Sequence, residues 1–190
     1  MNHPSASIER HARQHWQHTY YCVRAAFAGA WLLAALYAAR HSPALAAFLL
    51  LAYPAWDAFA NLADARRSGG LAVNRSQAGN ALVSLAVAAG VAWALPDMHK
   101  VLAIFGAWAM LAGLLQLGTA LGRRKQVGAQ WAMMLSGVQS AVAGAVFIYQ
   151  SQQPAMPTIA TVAGYAGFGA FYFLVAALQL SMAGRRAQAA

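Results

Sequence analysis

Apolar residues run along this chain in six blocks, at 20–39, 44–63, 77–95, 101–121, 127–149 and 158–183. Each reaches or approaches the roughly 20 residues that an α-helix needs to cross the hydrocarbon core of a bilayer. The connectors between them are short and hold the turn formers and most of the charge. They are Arg40-His41-Ser42-Pro43, Arg66 to Arg75 with Gly69-Gly70, Pro96 to Lys100, Arg123-Arg124-Lys125 and Ser151 to Pro157. The pattern predicts an all-α fold, a six-helix transmembrane bundle over residues 20–186. A polar leader at 1–19, suited to a juxtamembrane helix, precedes it, and a short tail at 187–190 follows. The first block lies behind that leader and is longer than a signal-peptide core, so no cleavable signal is expected.

Composition sharpens this picture. The chain is 61% hydrophobic and 9% charged, against about 25% charged in soluble domains, which leaves no room for a large soluble domain. The net charge of +9 would point a soluble protein toward nucleic acid. Here the basic residues sit in connectors and form no stripe interleaved with aromatics, so no nucleic-acid partner is expected. They report orientation instead. Eleven of the 13 Lys and Arg fall on one edge of a six-span chain: Arg10, Arg13 and Arg24, then Arg66, Arg67 and Arg75, then Arg123, Arg124 and Lys125, then Arg185 and Arg186. Arg40 and Lys100 fall on the other. The positive-inside rule then places both termini in the cytoplasm, in the inner membrane of a bacterium.

Three of the helices resemble one another. Ala55-Trp56 leads a span that ends in Arg66-Arg67, and Ala107-Trp108 leads one that ends in Arg123-Arg124-Lys125. The stretch Gly167 to Gly184 ends in Arg185-Arg186. The expected architecture is three repeated helical hairpins. Small residues recur four apart at Ala25 and Gly29, Ala86 and Gly90, Ala109 and Gly113, Gly118 and Gly122, and Gly137 and Ala141. Such pairs let backbones approach closely, within one chain or between copies.

One acid stands out. Asp57 lies inside the second block, ALAAFLLLAYPAWDAFANLA, where an ionised carboxylate costs about 3 kcal/mol or more. Tyr53, Asp57, Asn61 and Asp64 follow helical spacing and share one face. They form a candidate proton or cation path, with Asp57 near the midplane and Asp64 near the basic edge. The competing reading is a structural carboxylate. A structural role predicts that Asp57→Asn is tolerated, and a transport role predicts that it abolishes a flux. Pro54 removes a backbone donor from the same helix, so a carbonyl near Leu50 needs another partner. Arg24 lies shallow in the first block when counted from Tyr20, and by that depth it pairs with Asp64 rather than Asp57.

Neutral polar residues are spread through the other blocks: Asn80 and Ser84, Gln116 and Thr119, Ser136 with Gln139 and Ser140, and Tyr165 with Tyr172 and Gln179. They suit interhelical hydrogen bonds, or the lining of a cavity shared with Asp57. In the leader, His11, His15 and His18 fall on one helical face, a spacing that suits a metal site or a pH-sensitive patch. The simpler reading is an interfacial helix anchored by Trp16, Tyr20 and Tyr21. The single Cys22 excludes an intramolecular disulfide. HExxH, GxSxG and glycine-rich phosphate motifs are absent from the sequence, so no enzymatic activity and no cofactor are expected.

The run Trp131-Ala-Met-Met-Leu-Ser-Gly137, then Gly144, then Tyr165 to Gln179 resembles the HdeD-like family of small bacterial multi-pass membrane proteins. The resemblance covers about 101–186. It implies a compact six-helix bundle with repeated glycine-containing hairpins and an association with acid resistance, and it implies no catalytic residue. Tyr53-Pro54-Ala55-Trp56-Asp57 looks like the mark of a narrower subgroup. The sequence therefore predicts a non-enzymatic membrane protein linked to acid or envelope stress. The alternatives are a proton- or cation-coupled transporter or channel using Asp57, and an assembly subunit. Its expected partners are the lipid bilayer and either a second copy or another membrane protein.

Overall fold

Six helices follow from the six apolar blocks. The computed structural model describes residues 4–123 and 131–189, with side chains over 15–118 and 134–182. The helices are α1 (Pro4–Leu33), α2 (Pro43–Arg67), α3 (Arg75–Ala94), α4 (Met98–Arg123), α5 (Trp131–Gln150) and α6 (Ile159–Ala189). Among the described residues there is no strand. A π-type turn at Ala34–Ala38 and a tight turn at Ala39–His41 close α1. Five helices carry stretches long and apolar enough to cross a bilayer: His15–His41, Pro43–Arg67, Arg75–Ala94, Met98–Gly118 and Ile159–Met182. Large apolar side chains such as Phe48, Phe59, Leu82, Trp93 and Leu115 stand exposed along them, as lipid-facing surfaces require. The chain is an integral membrane protein.

Local chemistry sets the helix ends. Ser42 caps α2, its Oγ accepting from the Leu45 N–H at 3.2 Å, with Pro43 in the first turn where a missing N–H costs nothing. Arg66 and Arg67 close α2 against its dipole. Gly69 and Gly70 then take φ of 107° and 94°, left-handed values that a side chain would strain, and the Gly70 N–H returns to the Ala65 carbonyl at 2.8 Å. Asp97 caps α4, accepting from the His99 N–H at 3.0 Å. The Lys100 ammonium, bonded to Asp97 at 3.2 Å, holds that carboxyl below its usual range.

Helix pairing follows side-chain size. The closest pairs are α4 with α5, α1 with α6, and α2 with α3. The consecutive pairs α1–α2 and α5–α6 meet mainly through long side chains. Each even-numbered helix thus leads a close pair, and the pair α6–α1 is joined by no loop. This differs from a chain of consecutive hairpins, and in the closest pair, α4 with α5, the physical reason is glycine on the facing sides. Gly106 and Gly113 of α4 meet Gly144 and Gly137 of α5 backbone to backbone. The equally spaced Gly29 and Gly118 face open space. Thr119, Gly122, Trp131 and the clusters at 123–125 and 185–186 lie outside the described side chains.

The buried core gathers near the sparsely charged edge: Trp31, Leu50, Val91, Leu102, Phe105, Phe147 and Val162. Three side-chain rungs hold α1 antiparallel to α2. Trp16 Nε1 donates to Asp64 Oδ1 at 2.9 Å, Arg24 pairs with Asp57, and Trp31 Nε1 donates to the Leu49 carbonyl at 2.7 Å. The rungs are about two turns apart on each helix. The third lies beside the proline. Pro54 has no N–H to give to the Leu50 carbonyl four residues back, and it is the neighbouring Leu49 carbonyl that accepts from α1. Trp31→Phe keeps an aromatic ring, though a smaller one, and removes the donor. It is expected to lower unfolding stability in detergent by about 1–2 kcal/mol, and an unchanged unfolding midpoint would dismiss the rung.

Candidate functional site

The polar cluster lies between α1, α2 and α3. Asp57 projects from α2 and uses both carboxylate oxygens. Oδ1 takes the Arg24 guanidinium from α1, and Oδ2 accepts from Ser84 Oγ of α3 at 2.7 Å and from Asn61 Nδ2 at 3.0 Å. Asn61, one turn on, also donates to the Asp57 carbonyl at 2.8 Å. Arg24 in turn donates from Nη1 to the Tyr20 hydroxyl at 2.7 Å, and its guanidinium lies 4.4 Å from the Phe173 ring centre on α6. Both members of the pair are largely withdrawn from the surface, at 13% and 17% side-chain exposure. Arg24 Nε is buried without a partner.

The expected Arg24–Asp64 pair is therefore corrected: Arg24 pairs with Asp57. Depth counted from Tyr20 sets Arg24 at the wrong level. α1 does not begin at Tyr20 but runs unbroken from Pro4, and it is Trp16 that stands level with Asp64. Asp64 accepts from Trp16 at 2.9 Å, from Gln77 Nε2 at 3.3 Å and from Ser68 Oγ at 3.5 Å. The first two of these donors come from helices other than α2.

The four residues expected to form one path divide into three settings. Tyr53 packs among the rings of Phe27, Trp31 and Trp108. Asp57 and Asn61 form the buried cluster, and Asp64 stands at the basic edge with its own donors. Ser84 was legible only as a polar residue in an apolar block, and its partner is 27 positions away. Its expected companion Asn80 is exposed.

The remaining candidates disperse. Tyr172 donates to Gln139 Oε1 at 2.6 Å and Tyr165 reaches Ser140 Oγ at 3.5 Å, so these polar groups bridge α5 and α6. Gln139 and Tyr172 line a lateral groove of about 430 Å³ with Gly164, Gly167, Phe168 and Phe171, a groove that Asp57 does not touch. In the leader, the His11 side chain lies outside the described residues. His15 is exposed, and His18 Nε2 lies 3.7 Å from Cys22 Sγ. No group of three His, Cys, Asp or Glu among the described residues is placed to hold a metal.

Comparison with protein-family models, curated proteins and solved structures finds no match to the chain. What the site does has to be read from its own chemistry. A carboxylate that already accepts from an arginine, a serine and an asparagine has little capacity left for a cation, which would need several free oxygens. It is well made to join three helices in a medium that offers no water.

Proposed function

We propose that the chain is a non-enzymatic, six-span protein of the bacterial cytoplasmic membrane, with both termini in the cytoplasm. In this reading the Arg24–Asp57 cluster is a structural clamp and not a conduit. The observation that carries it is the occupancy of both Asp57 oxygens by donors from three helices. The sixth span is α5, whose 20 residues lie along α4 through paired glycines. The charge bias of the connectors supports the orientation. The likeness to HdeD-like proteins supports a role in acid or envelope stress, exercised through a second copy or a membrane-protein partner.

A second reading, proton- or cation-coupled transport through Asp57, is favoured by two features: the pair sits inside the span, and Arg24 keeps one N–H without a partner. Reconstitution separates the two. Liposomes carrying the full chain and an internal pH dye are expected to leak protons no faster than protein-free liposomes under an imposed gradient. A flux that Asp57→Asn removes from a folded protein would establish transport instead.

A further inference from the structure

One face of α2 changes character toward the basic edge. Phe59 is followed by Leu62 and Ala63, then by Arg66 and Arg67, at helical spacings that keep them on one stripe. The eight helical rises from Phe59 to Arg67 give this stripe a length of about 12 Å. Trp16 of α1 forms the opposite wall, and together these six side chains enclose a groove of about 310 Å³. Trp16 is held in place from two sides. Its Nε1 is bonded to Asp64, and the Arg67 guanidinium lies 4.7 Å from its ring centre. The nearby acid does not neutralise the arginines. Among the described residues the ion pairs are Arg24–Asp57 and Asp97–Lys100, and the Asp64 oxygens are directed to Trp16, Gln77 and Ser68.

We propose that this groove binds an anionic phospholipid, its phosphate between Arg66 and Arg67 and an acyl chain against Phe59, Leu62 and Ala63. The order of the wall, apolar toward the membrane interior and cationic at the edge, matches the order of a phospholipid from chain to phosphate. Phe59 is 62% exposed, so a chain can reach it laterally. Basic pockets between spanning helices are where acidic headgroups bind, and here side chains supply the attraction, because the C-terminal end of a helix repels anions. The inference rests on the membrane-spanning reading, with this edge at the headgroups.

The test uses the full chain in mild detergent, with lipid binding counted by native mass spectrometry. Phosphatidylglycerol is expected to bind well ahead of phosphatidylcholine. Arg66→Gln with Arg67→Gln is expected to weaken the first bound phosphatidylglycerol about 30-fold, since each arginine near an anionic surface contributes about fivefold. Both side chains are exposed, so the variants should fold. Arg75→Gln, at the same edge but outside the groove, should change the affinity little. Phe59→Ser should weaken lipid binding with both arginines in place. Equal binding of the two lipids would overturn the proposal. So would an equal loss in Arg75→Gln, which would reveal diffuse charge. Displacement of the lipid by inorganic phosphate would assign the groove to free anions and overturn it as well. Retention of the chain in carbonate-washed membranes tests the underlying reading separately.

Discussion

Asp57→Asn is expected to lower unfolding stability in detergent by about 3–5 kcal/mol, the cost of leaving a buried charge without its counter-ion. The change is nearly isosteric, so the loss falls on Arg24, which cannot shed its proton and is left with neutral partners: an amide oxygen at position 57, the Tyr20 hydroxyl and the Phe173 ring. Arg24→Met should cost less. It leaves Asp57 with Ser84 and Asn61, and an unpaired buried carboxyl can bind a proton. The double variant Arg24→Met with Asp57→Leu should be more stable than Asp57→Asn alone, because replacing a buried pair with apolar groups is often neutral. The tolerance of Asp57→Asn expected of a carboxylate with no cationic partner is thereby reversed. Unfolding midpoints of the three variants check the order, and equal midpoints for Asp57→Asn and wild type would remove the clamp.

Gly113→Ala is the second large effect. A Cβ there would stand 2.5 Å from the Gly137 carbonyl oxygen. The obstacle is backbone, so no side chain can rotate away and α4 must part from α5. Gly144→Ala meets the same obstacle, 2.5 Å from the Gly106 carbonyl oxygen and the Met110 nitrogen. Overpacking of this kind costs about 1–3 kcal/mol and sometimes more. Gly118→Ala and Gly29→Ala face open space and are expected to stabilise slightly, by about 0.5–1 kcal/mol, through better helix propensity. Opposite signs from the same substitution, read as unfolding free energies, test the packing directly.

Much of this was legible beforehand, at the level of single helices. Runs of apolar residues long enough to span a bilayer marked the helices, because hydrocarbon obliges a spanning backbone to satisfy its own hydrogen bonds. Asp57 announced itself because its class of residue is costly in that medium, and Asn61 followed from a spacing of one turn. Pro54 marks a carbonyl near Leu50 as needing a donor, and the Trp31 bond falls on the neighbouring carbonyl, that of Leu49.

What lay between helices was not legible. Arg24 was recognised as a counter-ion but assigned to Asp64, because choosing between two carboxylates on one face requires the offset of α1 against α2. That offset depends on where α1 begins and on the rungs from Trp16 and Trp31, both long-range contacts. Ser84 reaches Asp57 only through the rotation of α3. Gly113 and Gly137 share their spacing with Gly29 and Gly118, and spacing says that a face is smooth without saying what it meets. The helices, their lipid-facing character and the presence of one costly acid can be read from local pattern, since these follow from periodicity and transfer energy along a single helix. The partner of that acid, the glycines that touch and the basic groove beside Trp16 emerge from the packing of the helices. Each of these depends on the relative rotation and offset of two helices, and no local pattern encodes either.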